Sequence, residues 1–187
     1  RAGGLLNDAD CARDAKLKTM TYRRYRSLLQ QLFLITLVPP WHRNINKRLV
    51  KSPKLYFTDT ALLCHQLGVN LETLPRQNPG LFGHVLENFV ATELIKQLSM
   101  IPGSGTLNHF RTHEGNEVDF VIERRDGSLI GIEVKARDHI TPADFAGLKM
   151  LKHEAGKDFK RGIVLYQGND TIPYGEDMTA MPIDALW

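Results

Sequence analysis

Cysteine is scarce in this chain: Cys11 and Cys64 are the two among 187 residues. Two cysteines are too few for a disulfide framework or a cysteine-based zinc site, and they favour a reducing, cytoplasmic location. No apolar run approaches the roughly 20 residues that a membrane-spanning helix needs, and the first residues lack a signal peptide's apolar core. Because the chain starts at Arg1 rather than Met, we expect it to be part of a longer polypeptide.

Acidic residues are absent between Ala15 and Lys54. The formal net charge is only +3, so the rest of the chain is net acidic. A stretch with many basic and no acidic residues favours a polyanionic partner, and DNA is the first candidate. The alternatives are a solvated surface and a face matched to an acidic partner protein. The basic residues of the stretch are Lys16, Lys18, Arg23, Arg24, Arg26, Arg43, Lys47, Arg48, Lys51 and Lys54.

The local pattern of this first region predicts two helices and a hairpin. Asn7 is suited to cap a helix over residues 8–16, and Thr19 to cap a longer one. The longer helix carries apolar residues at the spacing of one buried face, opposite its arginines. That face consists of Tyr25, Leu28, Leu29 and Leu32. Residues 34–38 and 54–58 are strand-like, and Pro39-Pro40 stops the first of them.

Helix, turn, basic helix and basic hairpin together indicate a winged helix-turn-helix. Such a unit lays its second helix in the major groove of DNA while the hairpin contacts phosphate. A three-helix core needs one more helix before Asn7, so we expect the unit to be truncated here. The predicted nucleic-acid-binding residues are Arg23, Arg24, Arg26, Arg43, Lys47, Arg48 and Lys51.

Proline and glycine within residues 74–80 predict a loop that divides the chain into domains at 1–75 and 76–187. The second domain is expected to start with a helix over 81–100. Strands follow at 107–112, 117–123 and 129–136, then a helix over 141–154, a strand at 162–166 and a short one near 181–183. This order predicts an α/β fold, a mixed sheet flanked by helices.

Two of these strands carry carboxylates. Because strand side chains alternate, Glu133 and Lys135 share one face, and Asp119 points away from Val118, Phe120 and Ile122. A two-residue turn would place Asp119 on the wrong face for Glu133. A three-residue loop, residues 125–127 with a left-handed glycine at its end, places the two opposite each other. We predict the three-residue loop.

The helix over 81–100 supplies a further carboxylate. Glu87 has Val90, Ala91 and Leu94 at helical spacing, and a charge among apolar neighbours is usually paired or binds metal. The structural alternative is a salt bridge from Glu87 to Lys135 or Arg111. Gly83, one turn earlier, would allow a close approach by another backbone or a ligand.

Carboxylates at Glu87, Asp119 and Glu133 are hard oxygen ligands suited to Mg²⁺ or Mn²⁺. A bound ion would polarise a phosphodiester and acidify a water, and Lys135 would help to place or deprotonate that water. These four residues are the predicted catalytic site, and the three acids the predicted metal ligands. The alternative interpretation of Glu133 and Lys135 is an ordinary Glu–Lys ladder on a surface strand.

A helix Glu, then Asp119, then Glu133-x-Lys135 resembles the PD-(D/E)XK pattern of restriction-endonuclease-like nucleases, although Val118 stands where the pattern's proline would be. Nearly the whole chain resembles the C-terminal half of prokaryotic P-loop ATPases of the AAA+ type, and Ala61 departs from the glycine usual there. The matching segments include 25–35, 39–41, 44–48, 51–54, 56–59, 83–90, 110–112, 117–123 and 131–136, with Pro182-Ile183 and Leu186-Trp187 at the end.

This resemblance implies an upstream ATPase module, then a winged helix, then a nuclease-like domain. No Gly-x-x-x-x-Gly-Lys-Ser/Thr loop occurs in this chain, so no ATP site is expected in it. The sequence therefore predicts a metal-dependent DNA phosphodiester hydrolase attached to that ATPase. The open alternatives are a non-catalytic DNA-binding or protein-docking module and an assembly domain whose basic wing meets an acidic neighbour.

Overall fold

A computed structural model describes residues 2–44, 52–112 and 114–187 of the chain. The first helix, α1 (Asp8–Asp14), begins at Asn7, whose side chain accepts hydrogen bonds from the amides of Ala9 and Asp10, as predicted. The second, α2 (Thr19–Gln31), follows Lys18, which makes no side-chain cap. The predicted Thr19 cap is therefore wrong by one residue, since Thr19 is already helical.

The apolar face of α2 is exposed. Tyr25 and Leu32 are 52% and 65% accessible, and no residue of the helix is buried. The expectation of a buried face is wrong for this chain, because no other described element covers that side of α2. Helical periodicity identified the stripe, but burial depends on a partner surface.

Two short strands, β1 (Ile35–Val38) and β2 (Lys54–Phe57), pair antiparallel. The other edge of β2 contacts the chain's beginning, where the Gly3 amide donates to the Leu55 carbonyl at 2.9 Å. Beyond β1, the Trp41 amide donates to the carbonyl of His109 at 2.6 Å. Because His109 belongs to the larger sheet, the small hairpin is attached to that sheet, and β2 lies next to the second region.

The segment predicted as a loop is mostly helical. After α3 (Thr60–Leu67) come α4 (Leu74–Gln77) and the long α5 (Pro79–Met100). The Asn78 side chain accepts from the Leu81 amide at 3.0 Å and caps α5. Pro79 fits the first helical position, where its missing N–H would have no helical partner. Proline and glycine here mark a helix start, so the loop prediction is wrong, whereas the division into two domains stays a prediction.

The main sheet has six strands in the order β3-β4-β5-β6-β8-β7. Strands β5, β6 and β8 run parallel, and the other neighbouring pairs are antiparallel. The predicted mixed α/β sheet is confirmed, with β7 as an unpredicted edge strand. The strands are β3 (Thr106–Arg111), β4 (Glu117–Glu123), β5 (Leu129–Lys135), β6 (Phe159–Tyr166), β7 (Ile172–Tyr174) and β8 (Met178–Pro182).

Helices cover the sheet on both faces. Val90 and Leu94 of α5 pack with Phe120 and Ile132, whereas Leu148 of α6 (Ala146–Ala155) packs in the other core cluster. The helix predicted over 141–154 begins as a 3₁₀ turn, Pro142–Phe145, with a capping box at its start, and continues as α6. Close packing on this face requires Gly147, since a Cβ there would lie 2.0 Å from the Glu117 carbonyl oxygen. The two layers hold β4 and β5 at the centre.

None of the described helices has both the length and the apolar character needed to cross a bilayer.

Candidate functional site

The β4–β5 hairpin has the predicted three-residue loop. Its ladder pairs Glu123 with Leu129 and Phe120 with Ile132. Gly127 takes φ +81°, the left-handed conformation that closes such a loop. This register brings Asp119 to the position opposite Glu133, as predicted.

Beyond Phe120 the two strands separate, and side chains bridge the gap. The Asp119 amide donates to Glu133 Oε2 at 3.4 Å, and the Val134 amide donates to Asp119 Oδ2 at 3.0 Å. Strict alternation fails at this point, because Val118 packs in the Leu148 cluster and Phe120 in the Val90 cluster. The expected common face for Val118 and Phe120 is therefore wrong, since the separation of the strands interrupts the pleat.

Helix α5 brings Glu87 to the same place. The helix is apolar around this position, and Glu87 itself is 9% accessible. Its Oε1 accepts from the Tyr56 hydroxyl at 2.6 Å and from Lys54 Nζ at 2.9 Å. Neither predicted alternative partner pairs with Glu87, because Lys135 pairs with Glu133 and Arg111 with Glu117.

Lys54 is the residue that sequence reasoning missed. It lies on β2 and is 3% accessible, and its ammonium also donates to Asp119 Oδ1 at 3.0 Å. The charge pattern places Lys54 only in the basic stretch. The available signal was alternation along β2, where Lys54 and Tyr56 share the buried face. A lysine at a buried position requires a carboxylate partner.

Lys135 completes the site. Its Nζ donates to Glu133 Oε1 at 2.7 Å, and its side chain remains 28% accessible. The structure thus brings all four predicted catalytic residues together, with a second lysine between two of the acids. We call this set the acid–lysine cluster: Lys54, Glu87, Asp119, Glu133 and Lys135. A Cβ at Gly83 would lie at an ordinary contact distance, 3.9 Å, from Ala136 Cβ, so no close backbone approach depends on this glycine.

Burial and mutual repulsion shape the electrostatics of the cluster. Burial, together with the nearby Asp119 charge, raises the pKa of Glu87 to about 7 and that of Glu133 to about 8. Burial alone would lower the pKa of Lys54, but the Asp119 and Glu87 carboxylates raise it above its usual range. Near neutral pH the cluster therefore combines positively charged lysines with carboxyls that tend to retain protons.

The donor chemistry of the three acids suits a hard divalent cation. Across residues 2–44, 52–112 and 114–187, no group of three or more His, Cys, Asp or Glu side chains is already arranged to hold a metal ion. In the cluster, Lys54 and Lys135 contact the carboxylate oxygens that such an ion would require. Asp119 and Glu133 could hold an ion once Lys135, the more accessible lysine, moves aside.

The predicted DNA-binding arginines are mostly engaged with the protein itself. Arg23 and Arg26 both pair with Asp8, at 2.9 Å and 3.1 Å. Arg43 donates to the Glu154 carbonyl at 3.3 Å. Arg24 is exposed on α2. The remaining predicted contacts, Lys47, Arg48 and Lys51, lie outside the described residues.

The two aromatic side chains between β1 and the main sheet are buried. Trp41 is 5% accessible and lies 6.1 Å from Phe110 between ring centroids, and Tyr56 is fully enclosed. They therefore pack beneath the hairpin and present no ring for stacking on a base.

Fold and site together define a mixed α/β protein in which acids and lysines from a helix, a hairpin strand and two central strands meet in one cluster. The chain belongs to the family described as "Domain of unknown function (DUF4143)", whose match covers residues 82–186. Residues 1–73 match a second description, "Domain of unknown function (DUF8612)". The cluster draws on both matched segments, because Lys54 lies in the second match and the other four members in the first.

Two curated relatives, an uncharacterized protein of Mycobacterium bovis and one of Mycobacterium tuberculosis, are each 29% identical over 184 residues. The alignment covers 98% of this chain and 40% of each relative. The chain thus spans about two fifths of the length of the relatives it matches. No solved structure matches significantly.

Proposed function

We propose that this chain carries a metal-dependent DNA phosphodiester hydrolase domain of the restriction-endonuclease-like kind. The observation that carries the proposal is the convergence of Glu87, Asp119, Glu133 and Lys135 from one helix and two strands into one buried cluster. Buried charges are costly unless they are paired or serve a function, and the three acids, once ionised, exceed what two lysines can neutralise. The longer polypeptide would couple this domain to an AAA+ ATPase module.

Asp119 and Glu133 are the donors best placed to hold Mg²⁺ or Mn²⁺, since both lie where β4 and β5 separate. When bound, such an ion would polarise the phosphodiester and lower the pKa of an attacking water. Backbone amides already orient both carboxylates, so their positions do not depend on flexible side-chain partners. This pre-organisation is what a hydrolytic centre requires.

Lys135 would orient the attacking water and stabilise the negative charge that develops on phosphate. Its ammonium is partly accessible, so a substrate can reach it, and Glu133 holds it beside the acids at 2.7 Å. An ammonium so close to the reacting phosphate stabilises the transition state more than the ground state, because charge increases during attack.

The first region would hold the duplex as a winged helix-turn-helix. The order α1, α2, β1, β2 and the acid-free stretch support this role, and exposed Arg24 is the described arginine best placed to contact phosphate. Binding of this kind weakens steeply as salt concentration rises.

The test is plasmid nicking by the purified chain in Mn²⁺. We expect Asp119→Ala to lower the nicking rate by at least about 100-fold, the order of magnitude lost when an essential catalytic group is removed. Asp138→Ala, at an exposed site outside the cluster, is the matched control and should retain the parent rate. Equal rates for the parent and Asp119→Ala would refute the hydrolase.

A second candidate is a non-catalytic DNA-binding or protein-docking module that guides the ATPase. It is favoured by the internal pairing of both lysines, which leaves the carboxylates without a preassembled metal group in the described chain. Salt-sensitive DNA binding that Arg24→Ala weakens and Lys135→Ala leaves unchanged, with no nicking, would select this candidate. A chain that shows no salt-sensitive DNA retention would instead fit docking onto an acidic protein.

A further inference from the structure

We propose that Lys54 is a built-in cation of the acid–lysine cluster, which stays between Glu87 and Asp119 and leaves room for one divalent ion. That ion would bind on the Asp119–Glu133 side, and Glu87 would hold Lys54 rather than metal. The inference rests on the proposed hydrolase function, and it assigns Lys54 and Glu87 as positioning residues.

Lys54 is held in place by the backbone on both sides. It pairs with Val38 across the hairpin and forms a bridge with Leu5 of the chain's beginning. Its side chain is 3% accessible. Displacing the ammonium from its two carboxylates would leave a buried charge without a partner, which is strongly unfavourable.

Glu87 is also committed through one of its two oxygens. One oxygen, Oε1, accepts from both Lys54 Nζ and the Tyr56 hydroxyl, at 2.9 Å and 2.6 Å. The other, Oε2, faces Gly3, where a Cβ would come within 2.9 Å. His84 Nδ1 lies 4.0 Å from the same oxygen. Lysine and tyrosine thus occupy Oε1 of Glu87, and the Gly3 backbone limits the space beside Oε2.

The Asp119–Glu133 side differs because its lysine can move. Lys135 contacts Glu133 Oε1 from a side chain that is 28% accessible. Long lysine side chains swing readily into water, so Lys135 can release this oxygen without becoming buried and unpaired. An ion that approaches Glu133 from solvent therefore meets a movable lysine, whereas at Glu87 it meets Lys54, which is immobile and also holds Asp119 Oδ1.

Charge balance also favours a single ion. With its three carboxylates ionised and two lysines protonated, the cluster is one negative charge from neutrality. One divalent ion and one phosphodiester restore neutrality, whereas a second ion would add two positive charges with no further acid in the cluster. The nearby Glu117 lies outside the cluster and pairs with Arg111 at 3.4 Å.

The decisive experiment counts Mn²⁺ ions bound at pH 8, by electron paramagnetic resonance of the free ion. We expect one site in the parent, two in Lys54→Met, where the vacated position between Glu87 and Asp119 accepts an ion, and one in Lys54→Arg, which keeps the charge. Glu87→Gln should change the affinity less than threefold, whereas Asp119→Asn should weaken it at least 100-fold. Circular dichroism verifies the fold of each variant.

The inference is overturned if Lys54→Met still binds one ion, or if Glu87→Gln weakens binding as much as Asp119→Asn. Should Lys54→Met not fold, the comparison of Glu87→Gln with Asp119→Asn decides alone. Binding by Lys54→Met but not by the parent would show that Lys54 excludes every ion, which overturns the single-ion inference and refutes the hydrolase. If neither binds Mn²⁺, both proposals fail.

Discussion

Helix α2 and the acid–lysine cluster are both rich in charged side chains, but those of α2 lie at the surface and most of those in the cluster are buried. In α2 the arginines lie at the surface and the apolar stripe is exposed beside them, with no buried residue in the helix. In the cluster, three acids and Lys54 are buried between packed layers. Arg24 and Lys54 come from the same acid-free stretch, so charge pattern alone does not decide whether a basic residue meets water or a carboxylate.

The largest expected effect comes from Lys54→Ala. Removing the ammonium leaves Glu87 and Asp119 buried without their partner, so we expect the free energy of unfolding to fall by about 3–5 kcal/mol. Urea unfolding at pH 8 measures this loss. Arg24→Ala is the matched control and should stay within about 0.5 kcal/mol of the parent. Similar losses for both variants would remove the contrast between the two regions.

A core substitution tests the packed layers directly. Leu148 of α6 is fully buried and packs against Gly131 and Gly162 of the sheet, so Leu148→Ala should cost about 3 kcal/mol in the free energy of unfolding. Leu29→Ala on α2, where the side chain is 40% accessible, should cost less than about 1 kcal/mol. Thermal unfolding compares the two. A large loss for Leu29→Ala would show that the α2 face is covered in solution.

The raised carboxyl pKa values predict a pH dependence of stability. The folded chain holds protons on Glu87 and Glu133 up to pH 7 to 8, whereas the unfolded chain releases them near 4.5. This stabilisation is complete below pH 4.5 and is lost as pH rises through the folded pKa values. The free energy of unfolding should therefore fall by roughly 1 kcal/mol per pH unit for each of the two carboxyls as it titrates between pH 5 and 8.

Urea unfolding at several pH values in metal-free buffer measures this slope. Glu133→Gln, which cannot ionise, should show a shallower decline than the parent. Parallel curves for the two proteins would contradict the assignment. Mn²⁺ affinity should rise over the same pH range, because the ion competes with protons for the carboxylates.

The smallest expected effect is a gain, at the end of α2. Phe33 is 81% accessible and takes φ +55°, the left-handed conformation that usually belongs to glycine after a helix. Its amide donates to the Gln30 carbonyl at 3.0 Å and closes the helix. Phe33→Gly should raise the free energy of unfolding by about 1 kcal/mol because it removes this strain. Phe33→Ala, which keeps a Cβ, is the control and should show no such gain in a thermal melt.

Local features of the second region were predictable from sequence. The strands β4 and β5, their three-residue loop and the capped start of α6 each depend on residues close together in the chain. The Asp119–Glu133 pairing followed, because a loop of known length fixes which residues face each other. Burial of Glu87 was also predictable from its apolar neighbours one turn away.

Other features were not predictable from local patterns. The ion pair of Lys54 with Asp119 joins residues 65 positions apart, and that with Glu87 joins residues 33 positions apart. The apolar periodicity of α2 predicts a buried face only if another element covers it, and none does among the described residues. The prediction of a loop over residues 74–80 was wrong because proline and glycine occur both in turns and at helix starts.

The sequence by itself determined most of the helices and strands, the β4–β5 register and the candidate residues Glu87, Asp119, Glu133 and Lys135, since these follow from propensity, alternation and loop length. Only the tertiary structure decided which cation lies among the acids. Attachment of the β1–β2 hairpin to the main sheet brings Lys54 into the space between Glu87 and Asp119. Contacts between residues so far apart in the sequence are set by the packing of whole elements. The role of each carboxylate depends on that packing.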